Sequence, residues 1–174
     1  MDRLYAPWRS VYTEAILQTK DDTAIDQECV FCTHVGDAIH DEERFVLGRF
    51  THNLVILNLY PYNAGHLLIV PYMHESRLDG LLSEARAELM ELTMHSEVIL
   101  REVLKAQGVN VGMNLGKYAG AGIPTHLHQH VLPRWAGDTN FLPLLARTKQ
   151  ISFDLNDIFQ KLSPAFAQIK IKLG

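Results

Sequence analysis

Cysteine is nearly missing from this sequence of 174 residues: Cys29 and Cys32 are the only two, with two residues between them. A pair that close cannot brace a fold, so no disulfide framework is expected, and a reducing, cytoplasmic setting fits. Long apolar runs are missing too. The best of them, Leu67–Pro71, has the size of a strand, far short of the roughly 20 residues that cross a bilayer. The opening MDRLYAPWRSVYTE lacks the apolar core of a signal peptide. Nor does any block of one charge sign occur: 16 Lys and Arg stand against 20 Asp and Glu, for a net charge of -4. A duplex-binding protein carries a basic stripe to neutralise phosphates, and none is visible here. Long nucleic acids and membranes are therefore not expected as partners. Small phosphorylated ligands stay open, since a few amides and side chains suffice to hold them.

What is present is the make-up of an ordinary globular protein, 47% hydrophobic and 21% charged, in a length that fits one domain. Residues 1–28, with Pro7 and the polar, acidic stretch Asp21–Glu28, read as an N-terminal arm; residues 29–174 read as a single domain with a helical tail. Phe45–Arg49 and Asn53–Asn58 have strand composition, and His66–Pro71 reads as a further, buried strand. Between the last two, Tyr60–Gly65 is a turn, because Pro61 fixes φ and Gly65 accepts unusual backbone angles. A long helix is expected from Ser83, as its cap, to about Gln107, with Gly108 as the stop. Its apolar stripe is Leu89, Leu92, His95, Ile99 and Val103. Val109–Leu115 and Leu127–Arg134 are strand candidates around the small-residue loop Gly116–Pro124. The tail Phe153–Ile171 is expected to start as a helix and to be interrupted at Pro164. Strands with one long helix between them predict an α+β domain on an antiparallel sheet.

One segment carries chemistry. In Thr125–Pro133 (THLHQHVLP), His126, His128 and His130 alternate with Leu127 and Gln129. A strand has a side-chain period of two, so the three imidazoles share one face. Burying three imidazoles together is costly unless each ring nitrogen has a partner or a task. Two tasks fit: chelating a metal that activates water, or attacking phosphorus directly with a neutral imidazole. An unperturbed pKa of about 6.5 leaves such a nucleophile available near neutrality. Spacing alone does not separate the two.

The segment THLHQHVLPRW resembles the signature of the histidine-triad superfamily, in which three histidines alternate with apolar residues. One slot departs, since Gln129 is polar where the pattern is apolar; the departure is expected to alter packing rather than chemistry. Leu57–His66 (LNLYPYNAGH) and Pro133–Phe141 (PRWAGDTNF) look like the bacterial branch near diadenosine tetraphosphate phosphorylases. The resemblance covers about Cys29 to Phe141 and implies a triad-type antiparallel sheet with one long helix and a C-terminal helix. It implies that His128 is the nucleophile, forming a nucleotidyl-histidine, and that His130 donates to phosphate oxygens. It places Asn58 where relatives contact the ribose. Asn114 precedes the glycine-rich loop Gly116–Gly122, whose amides, at Gly120 and Gly122 among them, can approach an anion. Relatives often carry a serine near Gly122. Lys117 reads as an exposed loop lysine.

The implied activity is cleavage of dinucleoside polyphosphates, diadenosine tetraphosphate foremost, with phosphate or water as acceptor. A nucleoside phosphoramidate hydrolase is the alternative within the same chemistry. A metal-dependent hydrolase with the three histidines as ligands, and a zinc-stabilised binding module without turnover, are alternatives of other classes. Cys29-Val30-Phe31-Cys32 by itself has the spacing of half a zinc site, and also suits packing cysteines or a redox pair. By the resemblance, His74 and His126 complete a structural Cys2His2 zinc site. A homodimer or higher homo-oligomer, with Ser83–Gln107 at or near the interface, is implied as well. The same likeness leaves base preference undetermined.

Overall fold

The computed structural model describes residues 29–140, Leu145 and residues 153–171; the expected arm, residues 1–28, lies outside them. Five strands form one sheet: β1 (Val46–Arg49), β2 (Asn53–Leu57), β3 (Leu67–Pro71), β4 (Gly108–Met113) and β5 (Gln129–Arg134), in the order β1-β2-β3-β5-β4. Every neighbouring pair is antiparallel. Three helices accompany it, α1 (Val30–Gly36), α2 (Ser83–Leu104) and α3 (Leu155–Phe166). The α+β expectation therefore holds, and so does the triad-type sheet with one long and one C-terminal helix.

β2 and β3 are buried along their whole length, because the sheet is covered on both faces. Val55, Leu57, Leu67 and Ile69 join the core under α2 and α3; Leu54, Ile56, Leu68 and Val70 pack on the other face with Phe31 and Cys29 of the α1 segment. The period of two sorts consecutive apolar residues into two cores. Between these strands, Gly65 has φ +75, and a Cβ there would meet Leu104 Cδ1 at 2.5 Å. The turn thus needs glycine both for its backbone angle and for the close approach of α2.

Several boundaries differ from the sequence reading. Ser83 is the first residue of α2 rather than its cap, and its hydroxyl donates to Glu84. The helix ends at Leu104, where Lys105 turns left-handed (φ 55) and its N–H reaches Leu100 O; Gly108 is not the stop but opens β4. His95 is only half-buried on the inner stripe, where Glu88 and Ser96 are the fully buried polar residues. Pro164 does not interrupt α3, which runs on to Phe166. α1 was not foreseen, since seven residues show no readable period.

A triad with two jobs beside a Cys2His2 cluster

β5 begins at Gln129, so His126, at a bend, and His128 lie on the segment leading into it and His130 on the strand itself. The alternation nevertheless runs through all of them. Leu127 and Val131 enter the core under α2, and Gln129 points the same way, donating its amide to Thr93 on that helix. Thr93 in turn donates to Leu89 O at 2.7 Å. The polar departure from the triad pattern is thus absorbed by a hydroxyl partner inside the core. The three histidines take the opposite face, where the Phe31 ring lies 5.4 Å from His126 and 5.0 Å from His128.

His126, fully buried, turns away from the other two. Its Nε2 is 2.9 Å from Pro71 O; a carbonyl only accepts, so Nε2 carries the proton and Nδ1 presents a lone pair. That Nδ1 lies 3.4 Å from Cys29 Sγ and 3.6 Å from Cys32 Sγ, while His74 Nδ1 is 3.0 Å from Cys32 Sγ. All four donor atoms fall within 4.8 Å of one another. Tetrahedral zinc with bonds of about 2.3 Å to sulfur and about 2.05 Å to nitrogen sets its S···N edges near 3.6 Å. Donor type, number and spacing fit that ion, and the Pro71 carbonyl, by accepting from His126 Nε2, fixes the tautomer that a ligand histidine needs. Burial pushes the His126 pKa down to about 4, with His74 and His128 adding to the effect against the Pro71 hydrogen bond, which keeps the ring neutral, as ligation requires. Among the described residues the converging donor set takes one triad histidine, not three. The tri-histidine metal centre weighed from the sequence does not form.

His128 Nδ1 is 2.9 Å from His126 O. By the same reasoning its proton sits on Nδ1, and Nε2 presents the lone pair. Burial lowers its pKa, only partly offset by that hydrogen bond, so the imidazole is neutral at physiological pH. His128 and His130 lie edge to face, 5.0 Å between ring centroids. Both line a pocket of about 230 Å³ that also includes Asn58, Tyr62 and Gly122.

A fourth histidine, which the sequence reading took only as the start of a strand, orients the third. The N–H of Tyr62 donates to His66 Nδ1 at 3.1 Å, and Asn58 Nδ2 lies 3.2 Å from the same atom. With Nδ1 accepting, neutral His66 bears its proton on Nε2, 2.9 Å from His130 Nδ1. His130 then accepts at Nδ1 and carries its own proton on Nε2. A backbone amide thus dictates, through two rings, that the third histidine is a donor at Nε2. The signal available in the sequence was a histidine immediately after the glycine of the turn.

The other expected residues divide. Asn58, Gly122, His128 and His130 share the pocket. Asn58 also serves its turn, with Oδ1 accepting from Tyr60 N–H at 2.9 Å. Asn114 and Gly120 lie outside the residues lining it, linked to each other at 3.5 Å. Lys117 is exposed on its loop. The PRWAGD segment is structural. Asp138 takes a fork from Arg134 at 2.6 and 3.0 Å and accepts from Asn63 at 2.8 Å, while Asn63 also donates to Pro133 O at 3.0 Å. These bonds clamp the Tyr60–Gly65 turn against the end of β5.

Comparison with known proteins agrees with this geometry. Residues 40–137 match the HIT domain. The chain is 36% identical over 168 residues to a Mycobacterium tuberculosis protein named AP-4-A phosphorylase, covering 97% of this chain and 86% of that one. A Zn-bound histidine triad family protein from Mycobacterium smegmatis superposes with a TM-score of 0.66 at 30% identity, covering 82% of this chain and 95% of its own. A histidine triad nucleotide-binding protein from Sulfolobus tokodaii gives a TM-score of 0.60 at 25% identity, over 79% of this chain and 89% of that one. The chain belongs to the histidine-triad family, among its nucleotidyltransferase and hydrolase enzymes.

Proposed function

We propose that this enzyme cleaves dinucleoside polyphosphates, diadenosine tetraphosphate foremost, by nucleotidyl transfer through His128. The observation that carries the reading is the tautomer lock: the His128 Nδ1–H held by His126 O at 2.9 Å, which leaves Nε2 as a neutral nucleophile at the pocket. Nε2 attacks the α-phosphorus; the P–N bond forms as the P–O bond to the departing nucleoside polyphosphate breaks. The proton of His130 Nε2 stabilises charge growing on the phosphate oxygens. An acceptor oxygen then attacks the same phosphorus, the P–N bond breaks, and its electron pair returns to His128. Asn58 is assigned to the ribose hydroxyls and the Gly122 segment to the phosphates. Asn114 and Gly120 contribute, if at all, at the far side of that loop. The similarity to a protein named AP-4-A phosphorylase favours phosphate as acceptor.

Cys29, Cys32, His74 and His126 would hold a structural zinc, which when bound cross-links α1 to the end of β3 and to the residue two before the nucleophile. Two thiols kept as ligands suit the cytoplasm, and no helix among the described residues is long and apolar enough to cross a membrane. We assign the active form to a homodimer.

Product analysis with diadenosine tetraphosphate at varied phosphate tests the reaction. ADP plus ATP, growing with phosphate, is expected, and AMP plus ATP at millimolar phosphate would assign hydrolysis instead. His128→Ala is expected to lose turnover by orders of magnitude while still binding nucleotide. Retention of a tenth of wild-type activity would overturn the nucleophile.

A further inference from the structure

Asn58 is committed before any substrate arrives. It follows the last residue of β2, and its backbone N–H donates to His66 O at 2.8 Å, so the two residues face each other across the base of the turn. Its Oδ1 accepts from the Tyr60 N–H at 2.9 Å. A backbone N–H only donates, which fixes the amide oxygen on that side and turns Nδ2 toward His66. Nδ2 donates to His66 Nδ1 at 3.2 Å, and the Tyr62 N–H reaches the same atom at 3.1 Å. With two donors converging on Nδ1, the His66 proton is held on Nε2, 2.9 Å from His130 Nδ1.

A side-chain amide has two N–H donors and two lone pairs. These bonds leave Asn58 one of each, and it lines the pocket, where the proposed reaction assigns it to the ribose. For the ribose alone a carboxylate would serve as well, since sugar hydroxyls donate readily to acidic side chains. It would not serve His66. A carboxylate only accepts, and facing Nδ1 it would draw the ring proton there. Its charge-assisted bond is roughly twice as strong as a neutral one, so it would outweigh the Tyr62 amide. His66 Nε2 would then accept from His130 Nδ1, and His130 would lose the Nε2 proton it presents to phosphate. We propose that Asn58 is a positioning residue for His130, acting through His66, so that sugar recognition and the phosphate donor share one amide. The inference rests on the nucleotidyl-transfer reading, in which His130 Nε2 donates to the phosphate oxygens.

Asn58→Asp in the full chain, purified with its metal, isolates the donor. It keeps an acceptor for the Tyr60 N–H and for the ribose, and changes only the group that faces His66. Kinetics with diadenosine tetraphosphate are read near pH 9, well above the ordinary histidine range of about 6.5, so that the ring pair takes up no extra proton. The expected result is a fall in kcat of about ten-fold or more with KM within about two-fold. Nitrogen NMR of the rings should show the His66 proton moved from Nε2 to Nδ1. In the wild type the same measurement should show coupling across the hydrogen bond from Asn58 Nδ2 to His66 Nδ1, a readout independent of whether the variant folds. A kcat within about two-fold of wild type, a change in KM alone, or absence of that coupling overturns the proposal and leaves nucleotidyl transfer standing. Failure of the wild type to transfer nucleotide from diadenosine tetraphosphate overturns the nucleotidyl-transfer reading and the inference with it.

Discussion

A ring nitrogen's protonation decides what each histidine can do, and here four rings are settled by which atom faces a carbonyl or an amide. His126 and His128 each spend one N–H on a backbone oxygen, at 2.9 Å in both cases. They differ in which nitrogen that is, and so one presents Nδ1 to the cysteines and the other presents Nε2 to the pocket. His66 is the most informative for experiment, because it is a positioning residue for His130. His66→Ala removes the donor that keeps His130 Nδ1 an acceptor, so the His130 proton can move to the wrong nitrogen. Losing a transition-state donor costs about a hundred-fold or more, and losing tautomer control can cost more. The expectation is therefore a fall in kcat of about a hundred-fold with KM changed little, read from steady-state kinetics. A variant with kcat within two-fold of wild type would mean that His130 needs no such guide.

Among the elements, α1 depends most on something outside ordinary packing. It has seven residues and no side-chain cap at Cys29, too short to persist alone. Phe31 packs below it, and its two cysteines meet His74 and His126. The purified protein is expected to carry about one zinc per chain. Cys29→Ser should lose the metal and lower the thermal midpoint, because the ion joins α1 to the sheet. Metal analysis finding none in protein prepared without chelator, with melting unchanged by chelation, would refute this. The Asp138 clamp makes a second expectation. Arg134 foremost, then Trp135 and Asn63, hold its carboxyl well below the usual carboxylate range. A depressed folded pKa contributes stability above the ordinary value of about 3.9 and loses it as pH falls below that. Asp138→Asn should cost about 1–3 kcal/mol near neutrality. The gap in melting temperature from wild type should narrow toward pH 3, and acid loss of zinc, common to both proteins, cancels in that comparison.

How far the sequence could be read follows from the same residues. The alternation His126-Leu127-His128-Gln129-His130 was legible, since a period of two survives even where hydrogen-bonded pairing starts only at Gln129. The position of the cluster ligands was legible only through resemblance, because 97 residues separate Cys29 from His126 and only the antiparallel crossing brings them together. The role of His66 was hidden by its place at the head of an apolar run, where a buried strand was the simpler reading.

At the scale of the whole molecule, β1 and β4 are the two edge strands of the sheet. β4 lies last in the sheet order, and Val111 on it is 49% exposed. An edge strand with an exposed β-branched residue and no charge of its own is a template for pairing. On α2, Met90, Met94 and Val98 recur every four residues and are all exposed, an apolar stripe on the helix that packs beside that strand. Isolated exposed apolar residues are ordinary; a stripe on a helix beside an edge strand suits a contact surface. A twofold dimer would bury both at once, since an isologous contact sets the same patch against itself. Sedimentation equilibrium is expected to return twice the 19.7 kDa of one chain. Replacing Met94 and Val98 together by lysine should yield a monomer with unchanged circular dichroism, because both side chains face outward and like charges would meet across the axis. A wild-type monomer at tens of micromolar, or a double variant that remains dimeric, would place the contact elsewhere or deny it.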